Sequence, residues 1–369
     1  MVRSLLAIDL PLGPPLELAV RECAERDQAF CVLDQRLSAR RRQEELEWLG
    51  ATEILSPEGR RARPEGRRVD DEVGLVMLTS GSSGNPKAAE LTWDALHASA
   101  ELTQAALHRG SPSVWFPCLP ANHIGGLAVL LRAVLSDATL LWTSVDDIEG
   151  AASLGATHVS LVRTQLVRHD VSGYRCVLLG GARAPDHLPA NVLTTWGMTE
   201  TGSGVVYGGV PLPGVEFIAV NGELCVRTPT LFRSYRTAPR PQYVDPQGLE
   251  WFPTGDAGEV LENRIRVFGR LGFVINTGGE KLWPEDLESV LATVEGVRDV
   301  AVTGVDDPDW GQRVVALVVS GDTTSDEALR RVASERLGPW AQPKEIRHVV
   351  AIPRTSSGKI RRGNLANLH

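Results

Sequence analysis

Residues Val76–Thr92 read VMLTSGSSGNPKAAELT. Glycines, small hydroxyls and one lysine sit between an apolar run and a stretch with helical spacing. A Walker phosphate loop needs Gly, four residues and then Gly-Lys-Ser/Thr, with the lysine opening a helix. Here Pro86 precedes Lys87 and pushes Asn85 away from helical geometry. Ala88 and Ala89 follow, where a hydroxyl would hold magnesium. The stretch is therefore not a Walker motif, yet its parts suit a polyphosphate. Backbone N–H groups from Gly81 to Gly84 can form an anion nest. Ser80, Ser82 and Ser83 add donors, and Lys87 adds charge. Taken alone, a phosphate cradle and an ordinary flexible loop both remain open.

The flanks set the fold. From Val73 to about Thr195, strand-like runs (VGLVML, SVWFPCL, ATLLWT, THVSLV, RCVLLGG) alternate with helical ones (TWDALHASAELTQAAL, GGLAVLLRAVL). Thr92 is a plausible N-cap. Such alternation predicts layered α/β sheets. After Trp196 the texture changes. VEFIAVNGELCVRT places Asn-Gly between two strand-like runs, a strong hairpin signal. GEVLENRIRVFGR predicts a second hairpin turning at Glu262-Asn263. A small antiparallel, barrel-like part over about 205–268 follows. From Leu271 onward strands and helices mix. GFVIN, RDVAVTGV and RVVALVV read as strands, PEDLESVLATV as a helix with Pro284 in its first turn. SDEALRRVASERL reads as a helix entered through Thr324 and Glu327 at capping-box spacing. The expected organisation is a large domain over 1–270 and a small α+β domain over 271–369.

Composition narrows the function classes. A net charge of −8 disfavours nucleic acid as the main partner. The basic run GRRARPEGRRVD, Gly59 to Asp70, reads as a solvated loop. No apolar run is long enough to span a bilayer, and the opening MVRSLLAIDLPLGPPLE lacks a signal-peptide core. The five cysteines lack metal-ligand spacing and read as thiols of a reducing cytoplasm.

Four further stretches carry chemistry. WGMTETG (Trp196 to Gly202) holds a ring able to stack on a base, Thr199 able to donate to phosphate, and Glu200 able to hold magnesium. WFPTGDAGEV sets Asp256 in a tight Thr-Gly-Asp turn that suits ribose hydroxyls. FGRLG supplies Arg270, a bidentate donor at the domain joint. IPRTSSGKIRR supplies Lys359 on a second Gly/Ser loop. Each has a plain structural reading as well: buried tryptophan, exposed turn, surface arginine, basic tail.

Read together and in this order, these motifs resemble the adenylate-forming superfamily of acyl-CoA synthetases, adenylation domains and luciferases, over Met77 to Arg362. TSGSSGNPKAA resembles its phosphate loop (Thr79 to Gly84, and Lys87). PANHIGG resembles the motif whose histidine, here His123, lines the acid and nucleotide pocket. GGARAP resembles the adenine-side strand and loop (Gly180, Gly181, Ala182). WGMTE resembles the adenine and magnesium motif (Trp196, Gly197, Thr199, Glu200), with Trp196 where tyrosine is commoner. TGD resembles the ribose turn at Asp256, and PRTSSGKIRR the catalytic-lysine loop at Lys359. The resemblance implies ATP, Mg2+ and coenzyme A. A carboxylic acid would attack the α-phosphate to give an acyl-adenylate, and a thiol would then displace AMP. It implies a mobile small domain: Lys359 serves the first step, and the face around Gly279 and Lys281 serves the second. A monomer and a homodimer both stay open.

Two departures stand out. The hinge position two residues after Arg270 is Gly272 rather than Asp or Lys, and the phosphate loop arrives early, which implies a reduced N-terminal portion. Within the superfamily, PKAA, HVSLVRTQL (His158 to Leu166) and WGMTETGSGVVYGGVPLPGVEF resemble the actinobacterial subgroup that joins o-succinylbenzoate to coenzyme A in menaquinone biosynthesis. Its second carboxylate would meet Thr164, Ser203 and Gly204, with Arg163 either assisting or lying at the surface. A ligase for another aryl or acyl acid, a carrier-loading adenylation enzyme and a non-catalytic nucleotide binder are the competing readings. The intact Lys359, Glu200, Thr199 and Asp256 argue against the last.

Overall fold

The computed structural model describes residues 1–79, 87–107, 112–181, 184, 187–321, 324–354 and 359–368. The chain divides into two compact units. The first comprises Met1–Ile218, Cys225–Pro253 and Val260–Ile265, and the second Ala219–Leu224, Thr254–Glu259 and Arg266–His369.

The first unit holds two seven-stranded sheets. In one, Leu5–Ile8 pairs in parallel with Ala29–Val32 and Glu53–Ser56, and Ala29–Val32 with Val73–Thr79. LLAI and AFCV are buried at every position, as parallel strands covered on both faces require. The α/β alternation thus begins at Leu5, well before Val73. The basic run is no simple loop. Gly59–Ala62 is an edge strand antiparallel to Glu53–Ser56, with Arg60 paired to Glu53, and Val69–Asp70 pairs with Val2–Arg3. Arginines on an edge strand are tolerated because one side of it meets water.

In the other sheet Thr139–Leu140, Val114–Phe116, His158–Val162, Cys176–Gly180 and Val192–Met198 run parallel. Ser203–Tyr207 and Val210–Pro211 continue it antiparallel. The helix Trp93–Leu107 packs against the helix Ile124–Leu135 and against strands of both sheets. Its predicted cap holds: the Ala95 N–H donates to Thr92 Oγ1 at 3.1 Å. No helix among the described residues is long and apolar enough to cross a membrane.

Both predicted hairpins form. Asn221 and Gly222 have φ of 52° and 83°, as a two-residue primed turn between Glu216–Val220 and Glu223–Arg227 demands. Glu250–Leu261 turns at Glu262-Asn263 into Arg264–Arg270. The sheet they build is open rather than a closed barrel. The twelve-residue strand Glu250–Leu261 divides its length between several partners, so no pairing among the described residues joins the outer strands.

In the second unit Val297–Asp307 and Gly311–Ser320 form a long antiparallel pair, flanked by Ile275–Thr277, Glu280–Leu282 and Glu345–His348. Strand periodicity sorts its core. Val314, Ala316 and Val318 pack with Leu287, Leu291 and Leu329 of the helices Pro284–Leu291 and Asp326–Leu337. Val315 and Leu317 pack on the other face with Ile352 and Leu365. Two local expectations are corrected. The cap of Asp326–Leu337 is Ser325, whose Oγ accepts the Ala328 N–H at 3.1 Å, whereas Thr324 Oγ1 donates to the Glu295 carbonyl. GFVIN is a strand only in its second half: Gly272 and Phe273 belong to the 3-10 turn Leu271–Phe273, and the strand is Ile275–Thr277.

Candidate active site

Parallel strands present their carboxyl ends along one edge, where open α/β sheets bind ligands. In the first unit that edge gathers the nominated residues. His123 follows Val114–Phe116, Arg163 and Thr164 follow His158–Val162, Gly180 and Gly181 end Cys176–Gly180, and Trp196 to Glu200 end Val192–Met198. The register aligns them, with Val162 opposite Gly180 and Leu179 opposite Thr194.

The WGMTETG turn is fixed from several sides. Trp196 stacks edge-on to Phe217, with ring centroids 5.5 Å apart. The register slips between Trp196 and Gly197, bringing Gly197 so close to Ser203 that a Cβ there would lie 2.1 Å from the Ser203 carbonyl oxygen. Thr199–Thr201 is a 3-10 turn closed by Gly202 at φ 67°. Thr201, fully buried, donates to the Ser203 carbonyl at 2.8 Å, and Ser99 Oγ donates to that of Gly202 at 3.2 Å. Ser203 and Gly204 pair across from Met198 and Gly197. Ser203 Oγ is buried with no partner among the described residues. Thr164 is exposed, and among the described residues no hydrogen bond joins it to Ser203.

Glu200 is buried, and the Tyr235 hydroxyl donates to its Oε1 at 2.9 Å. Lys87 Nζ lies 5.0 Å over the centre of the Tyr235 ring. Lys87 opens the strand Lys87–Thr92, antiparallel to Val73–Thr79, with Thr79 opposite Lys87. KAAELT thus pairs as a strand, and the helix starts after the Thr92 cap, at Trp93. Ser80, Gly81, Ser82, Ser83, Gly84 and Ala182 lie outside the described residues.

His123 stands in extended conformation before the first turn of Ile124–Leu135. Asn122 Nδ2 is 3.5 Å from its Nε2, and Arg36 Nη2 donates to Asn122 Oδ1 at 3.4 Å. Arg36 is held by the buried Asp34 through Nε (2.7 Å) and Nη2 (2.8 Å). Burial would raise the Asp34 carboxyl, but the hydrogen bonds from Arg36 outweigh it and hold the group below the usual range. None of the cysteines is in a disulfide among the described residues; burial pushes Cys23 and Cys118 up to about 12, so each is a neutral thiol at neutral pH.

The second unit holds Asp256, Arg270, Lys359, Gly279 and Lys281. Thr-Gly-Asp is not a tight turn: it lies inside Glu250–Leu261, where Gly255 at φ 76° kinks a continuing strand. Asp256 is buried, and its Oδ1 accepts from Arg270 Nε at 3.0 Å; Arg270 Nη1 donates to the Thr254 carbonyl at 2.7 Å. Gly272 has no positive φ, and a Cβ there would meet nothing within 4 Å, so its backbone places no demand for glycine in this conformation. Lys359 is exposed, and its neighbour Ile360 forms an isolated antiparallel bridge with Arg354. Gly278 and Gly279, at φ 59° and 87°, form the two-residue turn before Lys281. Trp310, which sequence reading missed, packs against Gly278, and Lys344 Nζ lies 3.9 Å over its ring.

Among the described residues no group of three or more His, Cys, Asp or Glu could hold a metal ion unaided. One buried carboxylate fits magnesium nonetheless, since that ion draws most of its ligands from phosphates and water.

The AMP-binding enzyme family model matches residues 16–236, and that of the AMP-binding enzyme C-terminal domain matches 286–359. This chain belongs to the AMP-binding enzyme family. A "Probable 2-succinylbenzoate--CoA ligase" of Mycobacterium tuberculosis is 36% identical over 331 residues, covering 81% of this chain and 85% of that protein. The o-succinylbenzoate CoA synthetase of Bacillus subtilis, solved with its acyl-adenylate intermediate OSB-AMP, superposes with a TM-score of 0.83 at 25% identity, covering 99% of this chain and 88% of that one. The same enzyme solved with ATP and magnesium ion superposes with a TM-score of 0.83 at 25% identity, covering 98% of this chain and 89% of that one. The family assignment accounts for the mixed α/β fold with a C-terminal domain.

Proposed function

We propose that this AMP-binding enzyme is an AMP-forming acid–CoA ligase acting on o-succinylbenzoate in menaquinone biosynthesis. The observation that carries the reading is the single turn bearing Trp196, Thr199 and Glu200, in a chain superposing almost end to end on a ligase solved with its acyl-adenylate. In the first step a substrate carboxylate oxygen attacks the α-phosphorus of ATP, and the bond to the bridging oxygen breaks to release pyrophosphate. In the second, the thiol sulfur of coenzyme A attacks the acyl carbon, and AMP leaves with the former carboxylate oxygen. Both need cationic groups where negative charge accumulates.

In this proposal Trp196 and Gly180–Ala182 hold the adenine, and Asp256 and Arg270 the ribose. Thr79 to Gly84 and Lys87 position the departing pyrophosphate, and Thr199 donates to a phosphate oxygen. Glu200 holds magnesium, which offsets phosphate charge when bound. His123, oriented through Asn122 and Arg36, lines the acid pocket. Ser203, Gly204 and Thr164 receive the second carboxylate; the buried Ser203 hydroxyl has its hydrogen-bonding capacity unspent. Residues 271–369 act as the small domain. They supply Lys359 to the first step, and to the second the Gly279 and Lys281 face, to which Trp310 and Lys344 add a ring and a cation. Use of ATP and coenzyme A supports a cytoplasmic location, and a homodimer would be read from its sedimentation.

The test is release of AMP and pyrophosphate with ATP, coenzyme A and a panel of acids. The proposal expects o-succinylbenzoate to exceed benzoate and medium-chain fatty acids in kcat/KM by at least about 100-fold, as a site built to pair a second polar group provides. Equal use of all acids would leave a ligase of another substrate.

A further inference from the structure

Tyr235 belongs to none of the motifs, yet it joins the two charged groups of the first unit that the proposed reaction needs near the phosphates of ATP. Its hydroxyl donates to Glu200 Oε1 at 2.9 Å, and its ring carries Lys87 Nζ at 5.0 Å on its face. The joint is rigid. Ser234–Tyr235 pairs with the strand that Lys87 opens, Tyr235 opposite Ala89. The Phe232 N–H donates to the Glu200 carbonyl at 2.8 Å, and the Phe232 ring packs against that of Tyr235 at 4.8 Å. One short segment therefore clasps Glu200 by its backbone and its side chain while it borders the lysine strand.

The chemistry of this arrangement is specific. A lysine and a buried carboxylate in one site gain by pairing directly, and a paired carboxylate is a poor metal ligand. An intervening phenol gives each charge a weaker partner: a ring face for the cation and one neutral O–H for the anion. The O–H occupies Oε1 and fixes the carboxylate plane, while among the described residues Glu200 Oε2 accepts no hydrogen bond. We infer that Tyr235 is a positioning residue that keeps Lys87 and Glu200 apart and aims the Glu200 carboxylate for magnesium. The inference rests on the proposed ATP-dependent reaction. Tyr235 itself touches neither ATP nor the acid in this scheme; it acts through Glu200, as partners of metal-holding carboxylates do.

The experiment compares wild type with Tyr235→Phe, which keeps the ring and removes only the hydroxyl. ATP binding is measured by calorimetry with excess magnesium and again in EDTA, and pyrophosphate release is followed at varied magnesium. Partners of a metal-holding group typically give 10–100-fold effects. The variant is expected to lose about 10-fold in magnesium–ATP affinity, with a matching rise in the magnesium needed for half-maximal adenylation. Its ATP affinity in EDTA stays at the wild-type value, as does thioester formation from supplied acyl-adenylate. Placed in a Glu200→Gln background, the substitution adds nothing further. Equal losses with and without magnesium would make Tyr235 a merely structural residue and overturn the inference. So would effects that add fully to those of Glu200→Gln, or a variant indistinguishable from wild type. Failure of the wild-type protein to bind magnesium–ATP or to release pyrophosphate would instead overturn the proposed function.

Discussion

Replacement of Arg362 by alanine should loosen the second unit far more than the loss of a surface arginine would. Arg362 lies three residues beyond Lys359, and its side chain is only 9% exposed. Nη1 donates to Glu288 Oε1 (2.7 Å) and to the Val302 carbonyl (3.0 Å), and Nη2 to Glu285 Oε1 (2.9 Å) and Glu288 Oε2 (2.9 Å). Without it Glu288 remains buried with the Val302 N–H, at 2.8 Å, as its donor. Breaking one side of a buried pair costs about 3–5 kcal/mol, against about 0–1 kcal/mol for an exposed one. Because a chain of two units need not unfold in one step, the readout is amide hydrogen exchange over 284–302. There protection should fall by about 10²–10⁴-fold, the equivalent of that energy.

The pH dependence sharpens the prediction. Burial raises the Glu288 carboxyl, and the Arg362 hydrogen bonds and charge pull it back down. A carboxyl whose folded pKa is raised contributes stability that is fully present below its unfolded pKa and lost as pH rises through the folded one. Removing Arg362 removes the downward pull, so Glu288 stays protonated to higher pH. The penalty of Arg362→Ala should then be smaller near pH 5 than near pH 8. A loss under about 1 kcal/mol, or one independent of pH, would refute the reasoning.

Two further outcomes are expected. Burial, with Arg175 and Arg132 nearby, lowers His158 from 6.5 to about 4. The folded state thus refuses a proton that the unfolded chain accepts, so this contribution is intact above about pH 6.5 and lost as pH falls toward about 4. It amounts to about 3 kcal/mol, and acid titration of stability should show a drop that His158→Gln lacks; identical profiles would contradict it. Lys359→Ala should slow adenylation by about 10²–10³-fold, the usual scale for one lost transition-state donor, while thioester formation from supplied adenylate persists. Equal loss of both half-reactions would argue against the division of labour.

Much of the candidate site was legible because its chemistry is local. Trp196, Thr199 and Glu200 fall within five residues, so a strand followed by one turn places all three together whatever surrounds them. The Asn221-Gly222 hairpin, the Thr92 cap and the first-turn Pro284 are likewise backbone preferences of the residues themselves. Pairings between distant residues were not legible. Glu200 and Tyr235 are separated by 35 positions, and Arg36 and Asn122 by 86. No spacing rule links them, because their meeting depends on which strands become neighbours.

Sequence alone thus determined the α/β alternation, the hairpins and the chemical inventory, since hydrophobic period, turn stereochemistry and side-chain type act within a few residues. Tertiary structure decided which partner each charge received. It drew the basic Gly59–Ala62 run into a sheet edge, kept Thr254–Asp256 within a strand and Asp256 against Arg270, and set Tyr235 between Lys87 and Glu200. Each of these outcomes is an exchange of water for a specific protein partner, and strand register, which fixes where every second side chain points, selects that partner.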